Sequence, residues 1–319
     1  MRLRAHLIGA VSGLAVGLAG TVGLAGCHAA AGVSASAGAA GGSAALRVVA
    51  TTTQVADFSR HIGGDRIELT QILKPNVDPH DYEASPADLQ AIASADVVVK
   101  NGVGLEKFLD DTIASAGFSG TVVDTSKGVT IRTGDQPGEE GDPHIWHDPM
   151  NAKIMTRNIA DALAAKDPAG RATYEANYAS YAAKLDRLDR RIRAQFDALP
   201  PTRRKLVTNH DAFGYYIARY RLQFVGSIIP SFDSSAELSG KDITDLVARI
   251  RASGVQAIFS ESSLPPKTAE VIGREAGVTV VEGDGALYGD SLGPEGSNGA
   301  TYLTMEQHNT DTIVVALRG

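Results

Sequence analysis

Between residues 169 and 199, apolar side chains return at Tyr174, Tyr178, Tyr181, Leu185, Leu188, Ile192, Phe196 and Leu199, always three or four positions apart. That spacing holds one face of an α-helix, and kept for this length it specifies about eight turns, roughly 45 Å at 1.5 Å per residue. Asp167-Pro168 opens the run and Pro200-Pro201 closes it, because proline fits the first turn of a helix and stops its interior. A coiled-coil dimer seam is the alternative, but the pattern lasts only about four heptads and its polar face carries charges of both signs. The run reads as a strut in a monomer, joining an N-terminal part of the chain to a C-terminal one.

On each side of the strut lies a set of short β-branched runs. "LRVVATTT", "RIELTQIL", "ADVVVKNG" and "GTVVDTS" come before it, and "RKLVTNH", "LQFVGSII", "VQAIFSESS" and "VTVVEGD" after it, with helical patterns between them. Such alternation produces a parallel sheet covered by helices on both faces. The expected fold is therefore α/β with two lobes, residues 46–167 and 200–319, each a mainly parallel sheet flanked by helices, bridged by one long rigid helix over 168–199. A length of 319 residues, 43% hydrophobic and 21% charged, suffices for two such lobes. A stiff connector limits hinge motion and puts a ligand site in the cleft between lobes, supplied by loops at the carboxyl ends of strands.

The chain begins "MRLRAHLIGAVSGLAVGLAGTVGLAGC", with two arginines, an apolar stretch over 7–24 and small residues before Cys27. This is the layout of a secretory leader; rich in Gly and Ala and about 17 residues long, the stretch is marginal for a membrane span. Cys27 is the only cysteine, so no internal disulfide can form. Leu-Ala-Gly-Cys is similar to the bacterial lipobox, whose cysteine becomes lipidated and starts the mature chain. Residues 1–27 then form the leader and 28–45, nearly all Ala, Gly and Ser, a flexible tether. The expected location is outside the cytoplasmic membrane, on its outer face through lipid on Cys27, or in the periplasm. A net charge of -7 without a basic stripe excludes nucleic acid as a partner.

Eight histidines occur, of which His6 lies in the leader, leaving seven. His28 falls in the tether and His61 in a first helix, both as exposed bystanders, and His308 in the final helix as a surface or packing residue. The others occupy different ground. His80, in "PNVDPHDYEASPADL", follows a strand, and Ser85-Pro86 with Asp88 starts a helix just behind it: Ser as N-cap, Pro in the first turn, an acid three residues on. The loop is thus short and pinned, as fixed imidazole geometry requires. A second Asp-Pro-His occurs in "GDPHIWHDPMN", again ahead of a helix, offering His144 and His147, of which only one need be a ligand; Trp146 is placed to shield it. His210, in "VTNHDAFGYY", stands at the first strand-to-helix turn of the second lobe. Three histidines in such places form a metal-binding pattern, and Zn²⁺ in a closed site takes four ligands. The late loop "EGDGALYGDSLGPEG" offers Glu282, Asp284, Asp290 and Glu295, among which spacing does not choose.

Taken together, "DPHDYEASPADL", "NGVGLEKFLD", "DPHIW", "NHDAFGYY", "SESS", "LYGDSLG" and "HNTDTIVVAL" resemble the metal-binding lipoproteins of zinc and manganese ABC importers, from about Leu46 to the C-terminus and in the family's order. The resemblance implies two α/β lobes bridged by one helix, a metal buried between them, and ligands at His80, His144, His210 and Asp290. It puts His147 outside the ligand position, as a supporting or exposed neighbour. It also implies a membrane permease and its ATPase as partners. Asp78, Asp81, Asp148 and Asp211 flank the histidines and, with Glu261 of the "SESS" motif, are candidates to fix their tautomers.

Within the family a histidine at the third position is linked more to zinc, and three nitrogens with one carboxylate favour Zn²⁺ over Mn²⁺ chemically. The short acidic stretch "RTGDQPGEEGDPH" replaces the histidine-rich loop of many zinc-type relatives, which keeps Mn²⁺ as the alternative. The chain is expected not to be an enzyme: a secreted zinc hydrolase would need an open coordination position and a base, and neither His-Glu-x-x-His nor Gly-x-Ser-x-Gly occurs. A metal-dependent adhesin or a lipid-tethered metal chaperone is a third class without a motif to support it.

Overall fold

Alternation along strand β1 (Leu46–Ala50) decides the layering of the first half of the molecule. The computed structural model describes residues 44–134 and 141–318; the expected leader, Cys27 and the tether up to residue 43 lie outside the described residues, as do residues 135–140 ahead of His144. Strands β2 (Ile67–Gln71), β1, β3 (Val97–Lys100) and β4 (Thr121–Asp124) form one parallel sheet in the order β2-β1-β3-β4, with Val48 opposite both Leu69 and Val97. Since successive side chains point to opposite faces, Val48, Val97 and Val99 pack on one side with Phe58 and Ile62 of helix α1 (Thr53–Gly63) and Met155 and Ile159 of α4 (Pro149–Lys166). Val49 and Val98 pack on the other with Ile92 of α2 (Pro86–Ser94) and Leu109 of α3 (Leu109–Ala116). Both faces are covered, which is why these strands read as unbroken valine runs.

The second half repeats the scheme with one difference. Its strands form two parallel pairs, β5 (Lys205–His210) with β6 (Gln223–Ile229) and β7 (Ala257–Phe259) with β8 (Thr279–Val281), rather than one continuous ladder. Val207, Ile228 and Ile258 face helices α7 (Gly240–Ser253) and α8 (Lys267–Ala276), through Leu246, Ile250 and Ile272. Leu206 and Phe259 face the main core, which also receives α6 (Gly214–Tyr220) and α9 (Tyr302–Arg318).

The strut is helix α5, 27 residues from Arg171 to Asp197, preceded by a 3₁₀ turn over Pro168–Gly170. At 1.5 Å per residue it is about 40 Å long. Tyr174, Tyr181, Leu185, Leu188, Ile192 and Phe196 are buried along it as the periodicity requires, and each large apolar side chain fully removed from water contributes about 1.5–3 kcal/mol. Polar bonds then fasten it to both halves. Asp167, at its start, accepts from Arg66 Nε and Nη2 at 2.8 and 2.6 Å and from Tyr174 Oη at 2.9 Å. Farther along, Asp189 takes a bidentate pair from Arg219 of α6, both at 2.8 Å. Asp57 of α1, nearly fully buried, accepts from Tyr181 Oη at 3.3 Å and from the Tyr302 amide at 3.1 Å, so one carboxylate ties α1, α5 and α9 together. His61 stacks on Tyr181 at 4.5 Å and is only partly exposed, not the free surface residue expected.

Candidate metal centre

Each of the four side chains singled out for metal ligation lies at or beyond the carboxyl end of a strand. His80 lies after β2, His144 after β4, His210 is the last residue of β5, and Asp290 lies in the loop between β8 and α9. Local sequence explains their fixity. Ser85 and Asp88 form the reciprocal cap of α2, with the Ser85 amide donating to Asp88 Oδ2 at 2.7 Å, and Tyr82 Oη donates to the same oxygen at 2.7 Å. Asp148 caps α4 by accepting from the Met150 amide at 2.8 Å, which anchors the turn that starts at His144.

The Asp290 loop is held from several directions. Asn309 of α9 clamps the Tyr288 backbone, accepting from its N–H and donating to its carbonyl, both at 2.9 Å, and His308 Nε2 lies 3.0 Å from the Ala286 carbonyl. Across the molecule, Asn76 N–H donates to Ser291 Oγ at 2.8 Å and the Leu292 amide to Thr53 Oγ1 at 2.8 Å.

The four side chains meet. One ligand atom from each of His80, His144, His210 and Asp290 lies within 4.8 Å of the others. His80 Nε2 is 3.3 Å from His144 Nε2, which is 3.2 Å from His210 Nε2. Asp290 Oδ2 is 3.5 Å from His80 Nε2 and 3.1 Å from His210 Nε2, and Oδ1 is 3.2 Å from His144 Nε2. All four side chains are at most 3% exposed. Among the described residues, the ion-pair partners of Asp290 are these three imidazoles alone.

The ring nitrogens facing away decide the tautomers. His144 Nδ1 is 2.8 Å from Asp142 Oδ1, and His210 Nδ1 is 2.9 Å from Glu261 Oε1. A carboxylate oxygen only accepts, so each Nδ1 carries the hydrogen and each Nε2 lone pair points inward. Asp142 is itself braced by Arg132 Nη1 at 2.7 Å, and Glu261 also accepts from the His210 amide at 3.0 Å. His80 is different: its Nδ1 has only Asp233 Oδ1, at 4.0 Å.

Electrostatics follow these contacts. Burial works against an imidazolium at all three histidines, but Asp290 and Asp142 outweigh it at His144, raising it to about 9. Asp290 and Glu261 lift His210 well above the ordinary histidine range. At His80, without a close carboxylate on Nδ1, burial wins and the pKa falls to about 4. Asp290, although buried, is held well below its usual range by His210 and His144.

Of the flanking acids, Glu261 meets a histidine ring as expected, and the rest do other work. Asp78 Oδ1 accepts from the His80 amide at 2.9 Å rather than from its ring. Asp148 caps α4, 3.4 Å from Arg219. Neither Asp81 nor Asp211 bonds a histidine ring among the described residues; Asp81 is exposed, and Asp211 donates its amide to the Ser231 carbonyl. His147 is fully buried, not exposed, and stands apart from the cluster, with Nδ1 2.9 Å from Glu306 Oε1 and its ring stacked on Phe213 at 4.4 Å.

Two contributors were not foreseen. One is Asp142; the other is Glu106, buried in "NGVGLE", which accepts from the Asn101 and Gly102 amides at 2.6 and 3.1 Å. That turn lets Asn101 Nδ2 donate to the Pro143 carbonyl at 2.9 Å, directly before His144. Trp146 is fully buried, edge-on to His144 at 5.4 Å, and donates its indole N–H to the Gly289 carbonyl at 3.2 Å.

Gly289 matters for another reason. A Cβ built there would lie 2.0 Å from Glu261 Oε2 and 2.9 Å from its Cδ, and Glu261 is only 2% exposed and committed to His210. Gly289→Ala should push Glu261 off His210 or shift Asp290, lowering the cluster's affinity for a divalent transition metal by about 10–100-fold, the usual effect of losing a ligand's supporting bond. Competitive titration of the variant checks this; parental affinity would show that the carboxylate has room to give.

Two parallel α/β halves joined by one long helix, with a closed site built from both, define a two-lobed α/β solute-binding protein. Comparison with known proteins gives the family. Residues 48–316 match the family described as ZnuA, zinc-uptake complex component A, periplasmic, and the chain belongs to it. It is 33% identical over 273 residues to the zinc-binding protein TroA of Treponema pallidum, covering 85% of this chain and 88% of that one. It is 30% identical to the manganese ABC transporter substrate-binding lipoprotein PsaA of Streptococcus anginosus, covering 85% and 89%. It is 31% identical to the iron ABC transporter substrate-binding lipoprotein MtsA of Streptococcus pyogenes, covering 85% and 88%. The structure of periplasmic TroA from Treponema pallidum superposes with a TM-score of 0.79 at 30% identity, over 86% of this chain and 99% of the other.

Proposed function

We propose that the chain captures a divalent transition-metal ion, Zn²⁺ first among them, at His80, His144, His210 and Asp290 and delivers it to an ABC importer. One observation carries the reading. A tetrahedral Zn²⁺ with bonds of about 2.0–2.1 Å spaces its ligand atoms about 3.3 Å apart; counting both Asp290 oxygens, the close contacts in the cluster run from 3.1 to 3.5 Å, and one donor atom from each side chain lies within 4.8 Å of the others. Asp142 and Glu261 turn Nε2 of His144 and His210 inward, beside His80 Nε2 and facing Asp290, so the donors converge where a cation can displace the protons that otherwise sit there. The cargo is a substrate, bound and released without reaction, as befits a binding component rather than an enzyme.

Relatives named for zinc, manganese and iron share nearly the same identity with this chain, so overall likeness does not choose the metal. The donor set favours zinc: imidazole suits Zn²⁺, whereas Mn²⁺ prefers oxygen. Manganese has one observation in its favour. Both Asp290 oxygens approach the cluster, at 3.2 Å from His144 and 3.1 Å from His210, so a bidentate carboxylate would supply five donors to a larger ion. The partners are a permease and its ATPase, and the monomeric chain works outside the cytoplasmic membrane, held there by lipid on Cys27. The test is metal content and competitive titration of the compact unit starting at residue 44, purified without added metal. One tightly held Zn²⁺ that Mn²⁺ displaces poorly is the expected result; a preference for Mn²⁺ would overturn the choice of metal, and absence of stoichiometric metal would overturn the site.

A further inference from the structure

His80 is the ligand whose outward nitrogen lacks a carboxylate within hydrogen-bond reach, and what covers it is a strap from the other half of the molecule. Residues 231–236 run between β6 and α7. Phe232 of the strap is 6% exposed and lies 6.4 Å from His144, edge-on. Asp233 places Oδ1 4.0 Å from His80 Nδ1. The strap's inner shape is preset by its own bonds, with the Asp233 amide donating to Ser231 Oγ at 3.1 Å and the Ser235 amide to Asp233 Oδ1 at 2.9 Å.

Among the described residues, two polar side-chain bonds fasten the strap to the first half. Ser234 Oγ donates to Asp78 Oδ2 at 2.6 Å, while the other Asp78 oxygen accepts from the His80 amide, so one carboxylate links the strap directly to the His80 backbone. Lys107 Nζ pairs with Asp233 Oδ2; the lysine is 60% exposed and the carboxylate 29%. By contrast the supports of His144 and His210, Asp142 and Glu261, are buried.

Resting on the metal-binding reading above, we propose that the strap over 231–236 is the gate of the centre, that Asp233 is a positioning residue for His80, and that the Ser234–Asp78 and Lys107–Asp233 bonds set the rate at which cargo leaves. A cation held by four buried groups leaves only after one of them withdraws. His144 and His210 each have to break a short carboxylate bond to do so, while His80 has no such bond on its outward nitrogen; its loop is tied to the strap by the Ser234–Asp78 hydroxyl bond, and the strap itself is held by the partly exposed Lys107–Asp233 pair from the segment ahead of α3. If exchange occurs from the open form alone, the off-rate scales with the open fraction, and weaker fasteners raise it.

The experiment uses the full mature chain loaded with Zn²⁺ and mixed rapidly with excess chelator, following the fluorescence of Trp146, the single tryptophan. Lys107→Ala should speed release by about two- to fivefold, the scale of an exposed ion pair. Ser234→Ala should speed it by about tenfold or more, the scale of a hydrogen bond to a charged group. The double variant should combine the two, and Lys107→Arg should restore parental release. Arg157→Ala, which removes the ion pair between α4 and α5, is the structural control, with thermal midpoints measured in parallel. Release unchanged in the double variant, or accelerated equally by the control, overturns the gate while leaving the site intact. A parent that binds no Zn²⁺ overturns the site and the gate together.

Discussion

Asp290→Asn should lower Zn²⁺ affinity by well over a hundredfold while leaving the fold intact. The substitution keeps the shape of the side chain and removes its charge. In the parent, one carboxylate stands 3.1–3.5 Å from three imidazole nitrogens, with no exposure to solvent. A divalent ion there would have one charge balanced by Asp290 at contact, with Asp142 and Glu261 a ring's width farther out. Without Asp290, a +2 ion in a water-excluded site is coordinated by neutral nitrogens and an amide, and burying uncompensated charge is expensive. The loss should exceed that from Asp142→Asn, which removes a support rather than a ligand and should cost about 10–100-fold. Competitive titration with a chelator of known affinity ranks the two. Parental affinity in Asp290→Asn would mean that the histidines alone hold the ion and that the carboxylate serves only to orient them.

The helix and the strands were legible because their signals are local. The period of three and four from Tyr174 to Leu199 reports one helical face, and burial along α5 follows it. The same held for the cap at Ser85 and Asp88, which lie three residues apart. Selecting Asp290 from Glu282, Asp284 and Glu295 was different. That choice depends on α9, through Asn309 and His308, and on Thr53 and Asn76, more than 200 residues away in sequence. No local pattern encodes those contacts, and only resemblance to a family pointed to the acid that the fold brings to the three histidines.

The acids beside the histidines show where adjacency misleads. An aspartate stands two residues before both His80 and His144. Asp142 turns toward its histidine ring because Arg132 and the Pro143 carbonyl contact fix the turn around it. Asp78 turns toward the His80 backbone and Ser234 instead. Equivalent spacing gave different partners because the neighbours came from elsewhere in the fold. His147 carries the same lesson, since a histidine three residues past a candidate ligand was drawn away by Glu306 and Phe213 into the core.

Affinity for Zn²⁺ should rise steeply between about pH 6 and about pH 9, by one to two decades per pH unit, because protons and the cation compete for the same Nε2 lone pairs. With Asp142 and Glu261 holding hydrogen on Nδ1 of His144 and His210, the competing proton must sit on Nε2, facing Asp290. Asp290 and Asp142 raise His144 to about 9, and Asp290 and Glu261 raise His210 well above the ordinary histidine range. At neutral pH at least one of the two is therefore protonated, and binding must expel that proton. Each proton expelled contributes one decade of affinity per pH unit, present in full below the raised pKa and gone above it. His80, lowered to about 4, adds no competition in this range, and Asp290, held well below its usual value, adds none either. The slope is thus set by the two histidines with close carboxylates, and should flatten as His144 loses its proton near pH 9. Titrations at several pH values, with proton release measured in weakly buffered solution on addition of Zn²⁺, test the count directly. Binding that is flat across this interval and releases no proton would mean that the inward nitrogens are already free at neutral pH, and that Asp290 stabilises only the cation. A slope near one to two implies instead that mild acid suffices to loosen the cargo, since a fall of one unit returns protons to the nitrogens that Asp290 is placed to stabilise.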